Sequence, residues 1–186
     1  MQNICRDLIF PSFVYSMDLD SIDSTAVTND ILTMQQNVES IEISNRGGWH
    51  SPNIEKGLET ASLVALKNEV FAAVNFVIDK EKLSCPVNNH TYWATVNSKD
   101  NYNIMHSHGQ LSISVVYYPF IPSDCTASLT FVRTDGGAYL QGHGSGHFSI
   151  PCKTNKLVIF SPHLFHFVEP NNSEKKRISI AFNFKG

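Results

Sequence analysis

His106 and His108 stand one residue apart just before an apolar run, Leu111–Tyr118, and a third histidine, His166, lies far along the chain between Phe165 and Phe167. Side chains alternate faces along an extended strand, so His106 and His108 can grip one metal ion from the same side. His166, with its aromatic neighbours turned the other way, would supply a third nitrogen. Three imidazoles on one face of an octahedron suit iron and leave positions open for substrate and oxygen. Arg177 follows His166 by eleven positions and shares a strand face with Ser179, while Ile178 and Ile180 point the opposite way. A guanidinium on an inner face is a costly unpaired charge. A carboxylate co-substrate would resolve it with paired hydrogen bonds. An ion pair to a carboxylate on a rim strand is the competing explanation.

The remaining polar candidates have plainer readings. His163 follows Pro162 in a turn and reads as loop. His143 and His147 belong to a glycine-rich loop, Gly142–His147, which reads as a plain turn in preference to a substrate lid or a stray metal binder, and not as a phosphate cradle because a strand follows it. Asp124 and Asp135 fall in Pro-Ser-Asp and Asp-Gly-Gly turns. Asp124 is the carboxylate that would substitute if His108 turned away. The run Lys175-Lys176-Arg177 begins as a solvated turn and not as a nucleic-acid patch.

These side chains need short strands to hold them, and from Thr91 onward the sequence supplies such runs. They are Tyr92–Val96, Tyr102–His106, Leu111–Tyr118, Ser128–Val132, Phe148–Ile150, Lys156–Ser161, Phe165–Val168 and Arg177–Phe184, with turn residues between them. Upstream, Leu8–Tyr15 reads as an edge strand because Pro11 cannot donate to a ladder. Helices are predicted over Ser21–Gln36, capped by Asp20, Ser21 or Asp23, and from Ile54 to Ile78, capped by Ser51 or Asn53. The expected fold is mainly β (α+β): a two-sheet jelly roll with the helices packed on the outside of one sheet. One domain is expected over 1–186, with 1–90 the helical part and 91–186 the metal-binding β core.

Composition is consistent with this: 186 residues, 42% hydrophobic and 17% charged, describe a folded chain rather than a disordered one. A net charge of −3 gives no electrostatic reason to bind nucleic acid or an anionic membrane. There is no unbroken apolar run of membrane-spanning length and no signal-peptide pattern. The four cysteines form no CxxC pair and read as reduced thiols.

At these residues the chain resembles the iron- and 2-oxoglutarate-dependent oxygenases, and more narrowly a branch found in bacteria and tailed phages. His166, Arg177 and Ser179 match the family's distal histidine and Arg-x-Ser. The narrower branch is matched by the Trp93-to-Asn97 strand, Asn101-Tyr102-Asn103, the His-x-His pair, Ser114-x-x-Tyr117-Tyr118, and Gly47-Gly48-Trp49-His50-Ser51. The family at large places Asp or Glu where this chain has His108, although three-histidine iron sites occur in related cupin oxygenases. The resemblance implies a double-stranded β-helix with Fe(II) held by His106, His108 and His166. It also implies 2-oxoglutarate as co-substrate, its far carboxylate held by Arg177 and Ser179, O2 as oxidant, and a cytoplasmic location in a bacterial or phage-infected cell. A primary substrate, which the sequence does not identify, would be hydroxylated with release of succinate and carbon dioxide. One of Tyr102, Tyr117 and Tyr118 is expected to reach the co-substrate; the pattern does not choose, and Tyr117 is carried forward. The rival reading is a catalytically silent jelly-roll binding module that keeps the histidines as a closed structural zinc site. Trp49, flanked by glycines, belongs either to a lid or to a plug between helices and sheet, and tryptophan's usual burial favours the plug.

Overall fold

The computed structural model describes residues 12–83, 89–134 and 146–186. Residues 8–11 of the expected N-terminal strand, Cys5, Cys85, Asp135 and most of the Gly142–His147 loop with His143 lie outside that range. In chain order the elements are β1 (Val14–Asp18), α1 (Ser24–Asn37), β2 (Asn45–Arg46), β3 (Trp49–His50), α2 (Ala61–Glu81), β4 (His90–Asn97), β5 (Tyr102–His106), β6 (Ile113–Phe120), β7 (Ser128–Val132), β8 (His147–Pro151), β9 (Lys156–Phe160), β10 (Phe165–Val168) and β11 (Arg177–Phe184). They form a six-stranded sheet, β1-β9-β6-β11-β4-β3, and a five-stranded sheet, β2-β5-β10-β7-β8, with every pairing antiparallel. This is the expected jelly roll.

Strand parity decides where the core lies and where a site can be. On β11, Ile178, Ile180, Phe182 and Phe184 join Tyr92, Ala94 and Val96 of β4 and Leu157 and Ile159 of β9 in one core with the helices. The alternate residues of the same strands face the smaller sheet. The large sheet is thus covered on both faces, and its strands are apolar almost throughout. On α2, Leu63, Leu66, Val70, Ala73, Val74 and Val77 are buried. By length and composition alone this helix could cross a membrane.

Helix α1 starts where Asp23 accepts hydrogen bonds from the backbone N–H groups of Thr25 and Ala26, both at 3.0 Å. Helix α2 begins later than expected, with Thr60 rather than Ser51 or Asn53 as its N-cap. Two local causes hold residues 51–60 out of the helix. Pro52 pushes Ser51 toward extended backbone, and Gly57 adopts φ +90°, which only glycine tolerates readily. The segment instead lies along β4, with Ser51 and Ile54 donating backbone N–H groups to the carbonyls of Ala94 and Tyr92 at 2.9 Å. Of the expected N-terminal strand, Val14 and Tyr15 lie in β1, which pairs with β9 at the edge of the large sheet.

The Gly47-Gly48 turn carries the chain from one sheet to the other, because β2 pairs with β5 and β3 pairs with β4. Both glycines have positive φ, and a Cβ on Gly48 would lie 2.8 Å from the Val96 carbonyl oxygen. Trp49 is buried in the helix-side core and donates its indole N–H to the Val38 carbonyl at 2.8 Å. It is a plug.

Candidate metal centre and its cleft

In the β5–β10 pairing His106 sits directly opposite His166, both turned toward the interior between the sheets. Antiparallel register therefore brings together two side chains sixty positions apart in the chain. His108 lies just beyond the end of β5. Its backbone N–H donates to the Pro162 carbonyl at 2.8 Å, which keeps the chain beside the sheet past the strand's formal end. The candidate ligand nitrogens of His106, His108 and His166 all lie within 4.8 Å of one another. Ring centroids are 4.5 Å apart for His106 and His166, and 5.1 Å for each pair that includes His108.

His106 and His166 each donate Nδ1–H to a backbone carbonyl two residues back, Ile104 at 2.7 Å and Leu164 at 2.9 Å. This fixes the tautomer and leaves each Nε2 as a bare lone pair. Burial, reinforced by the neighbouring imidazoles, pushes the pKa of His108 down to about 3. Burial also lowers His166 to about 4, against the opposing pull of the Leu164 carbonyl. Both rings are neutral at pH 7, the form that binds metal.

That shift makes the metal-free protein acid-sensitive. In the unfolded chain a histidine takes up its proton near pH 6.5, whereas folded His166 does so only near pH 4. Between those values the unfolded state binds more protons, so stability falls as pH falls across that window. His166 accounts for a loss on the order of 3 kcal/mol. His50 and His90, also lowered by burial, act in the same direction. Chelator-treated wild type should therefore show a steeper fall in urea midpoint from pH 7 to pH 4.5 than His166→Gln. Parallel slopes would show that His166 titrates normally.

The histidines open into a narrow cleft of about 60 Å³ also lined by Trp93, Thr95, Asn103, Tyr118, Ser179 and Asn183. A larger groove between β1 and α2 is walled by Met17, Ala73, Phe76 and Val77 and holds no ligating cluster among the described residues. Arg177 is 2% exposed; its Nη1 donates to the Glu169 carbonyl at 2.8 Å, while its Nη2 has no hydrogen-bond partner among the described residues. Among the described residues no carboxylate is paired with it, so the rim ion pair considered from sequence is not found there.

Tyr117 is turned away from this cleft. Its ring lies in the helix-side core, and its hydroxyl donates to Asn155 Oδ1 at 2.9 Å, with burial pushing its pKa up to about 12. The tyrosine on the cleft side is Tyr118, fully buried, with only the weakly accepting Cys152 thiol beside its hydroxyl. The cause is strand parity: Ile113, Val115 and Tyr117 alternate in the helix-side core, so Tyr118 faces the cleft, and a β-bulge follows directly after. Against β11, Ile180 pairs with Tyr117 and Ile178 with Phe120, so Tyr118 and Pro119 together oppose Ser179. Pro119, which has no N–H to give a ladder, is the sequence signal for that irregularity.

The other candidates lie apart from the cluster. Asp124 is exposed and accepts from Ser173 Oγ at 2.7 Å, and His163 is exposed and bonded to Ser12 at 2.8 Å. Asn183 went unnoticed in the sequence; its place on the inner face of β11, in phase with Arg177 and Ser179, was the available sign.

The family model described as "Putative 2OG-Fe(II) oxygenase" matches residues 91–183, half of the chain. No curated protein matches significantly. Among solved structures, a Pseudomonas putida prolyl-4-hydroxylase superposes with a TM-score of 0.69 at 14% identity, covering 92% of this chain and 91% of that one. A Trichoplax adhaerens prolyl hydroxylase in complex with a peptide fragment of hypoxia inducible factor gives 0.67 at 16% identity, covering 94% and 83%. HygX from Streptomyces hygroscopicus, with nickel and 2-oxoglutarate bound, gives 0.65 at 9% identity, covering 92% and 82%. These likenesses share the fold, and the sequence match supplies the family: the chain belongs to the 2OG-Fe(II) oxygenases, oxidoreductases that use Fe(II), 2-oxoglutarate and O2.

Proposed function

We infer that this chain hydroxylates a substrate at an Fe(II) held by His106, His108 and His166, consuming 2-oxoglutarate and O2 and releasing succinate and carbon dioxide. The observation that carries the reading is one cleft lined by three converging imidazoles and by Ser179, whose strand also carries Arg177, a buried guanidinium with no partner for Nη2 among the described residues. The donor set fits both groups: neutral imidazole suits iron, and a guanidinium fork suits a carboxylate.

Arg177, with Ser179 and with Tyr118 in place of Tyr117, binds and orients the distal carboxylate. Val116, Leu129, Phe160 and Val168, on the apolar walls around the histidines, keep water from the reacting atoms. Bound iron supplies the activation of O2 that no side chain here can perform. Three neutral ligands bring no negative charge to a divalent cation, so the carboxylate of the co-substrate has to provide it. A structural zinc site would need a fourth protein ligand, and the cluster among the described residues has three.

The test is succinate formation from 2-oxoglutarate by Fe(II)-loaded protein in the absence of a primary substrate, alongside metal content. His106→Ala, His108→Ala and His166→Ala should each lower bound metal by at least tenfold and abolish succinate formation. Undiminished metal in His108→Ala would move the third ligand elsewhere.

A further inference from the structure

The hydrogen bonds behind the histidines set His108 apart from its two companions and single out Asn183. His106 and His166 hold their protons on Nδ1, against carbonyl oxygens. His108 Nδ1 instead meets the amide nitrogen of Asn183 at 3.0 Å, and an amide nitrogen only donates. Nδ1 is therefore an acceptor, and the neutral ring carries its proton on Nε2. That proton points at Nε2 of His166, 3.3 Å away and itself unprotonated. Behind Asn183, the Ser114 hydroxyl donates to Oδ1 at 3.0 Å. Register explains the contact, because Asn183 and Ser114 are direct cross-strand partners on β11 and β6. The four side chains form a chain of one polarity: Ser114 to Asn183 to His108 to His166.

With that polarity His108 cannot ligate through Nε2, because a proton occupies the lone pair. Each link can nevertheless reverse. A hydroxyl donates or accepts, an imidazole holds its proton on either nitrogen, and a half-turn of the amide exchanges Oδ1 and Nδ2. We propose that Ser114 and Asn183 are positioning residues that form a reversible relay, and that His108 becomes a ligand when the relay reverses. In the reversed form His108 Nδ1–H donates to Asn183 Oδ1, and the Asn183 amide donates to Ser114 Oγ. One proton leaves Nε2 for solvent and one returns to Nδ1, so the ring stays neutral. Asparagine permits both polarities, whereas aspartate at this position would accept only and hold the ligating one. The inference rests on the three-histidine reading above.

The test pairs nitrogen-15 histidine NMR with titration of Co(II), followed by its visible absorption. In chelator-treated wild type, His108 should carry its proton on Nε2 while His106 and His166 carry theirs on Nδ1, and saturating Zn(II) should move the His108 proton to Nδ1. Asn183→Leu should weaken Co(II) binding by roughly tenfold to a hundredfold, and Asn183→Asp should tighten it by about tenfold. A merely structural asparagine would lose affinity in both variants, which would overturn the relay. A proton already on His108 Nδ1 in chelator-treated wild type would overturn it too, and that measurement needs no variant to fold. The two readings fail separately. Wild-type Co(II) affinity in His108→Ala would overturn the three-histidine site itself. Loss of affinity there, with both Asn183 variants unchanged, would remove the relay alone.

Discussion

Arg177→Met should raise the 2-oxoglutarate concentration for half-saturation by roughly thirtyfold to a thousandfold, as expected for a charge-assisted, partly buried pair worth about 2–4 kcal/mol. Metal content should not change, because Arg177 is not one of the clustered histidines. The stability of the unliganded protein should move the other way from what loss of a buried bond suggests. Arg177 is buried with one arm on the Glu169 carbonyl and the other without a partner among the described residues. A half-satisfied buried cation carries an uncompensated desolvation cost. Methionine fills similar space without that cost, so the urea midpoint of the variant should equal or exceed that of wild type without co-substrate. A 2-oxoglutarate concentration that saturates wild type should then stabilise it clearly more than the variant. Equal 2-oxoglutarate affinity in the two proteins would remove Arg177 from the site. A large drop in midpoint would show that the bond to Glu169 matters more than the unpartnered arm.

What could be read from the sequence was whatever local period encodes. The alternation Arg177-Ile178-Ser179-Ile180 assigns inner and outer faces without any structure, and β11 follows it. His106 and His166 were legible because each sits in phase on a short strand. The choice among Tyr102, Tyr117 and Tyr118 was not in the local pattern, because it depends on which face of β6 meets the smaller sheet; Tyr117 shares the helix-side face with Ile113 and Val115, and Tyr118 takes the cleft side. The start of α2 was misplaced by following apolar spacing through Pro52 and Gly57, two residues whose backbone limits outweigh a hydrophobic stripe. Ile54 is nonetheless buried, held by β4 rather than by a helix. Strands β2 and β3 have two residues each, too few to show any period, and their pairing with β5 and β4 is a long-range fact. Asn183 belongs to a third class: its face was predictable, but its partners, Ser114 and His108, depend on register and on a loop.

Trp49→Ala should destabilise the protein by about 3–5 kcal/mol, the usual cost of emptying a large buried aromatic site. The magnitude follows from where the ring sits. Trp49 pairs with Val96 of the large sheet, packs in the helix-side core, and gives its N–H to the carbonyl of Val38, where α1 ends. Alanine would leave a cavity and would also strip that carbonyl of its donor. Collapse cannot easily refill the space, because the preceding Gly47-Gly48 turn is wedged against Asn97 and Asn101. Trp49→Phe, which keeps most of the apolar volume and loses only the N–H, should fall by about 1–3 kcal/mol. Urea midpoints for the three proteins would order the effects, and Co(II) affinity measured well below the transition should be unchanged in both variants. A lid tryptophan gives the opposite pattern, with midpoints near wild type and a fall in substrate-dependent turnover. That result would require the β2–β3 corner to open in solution, against a buried indole and a glycine turn with no room for a Cβ.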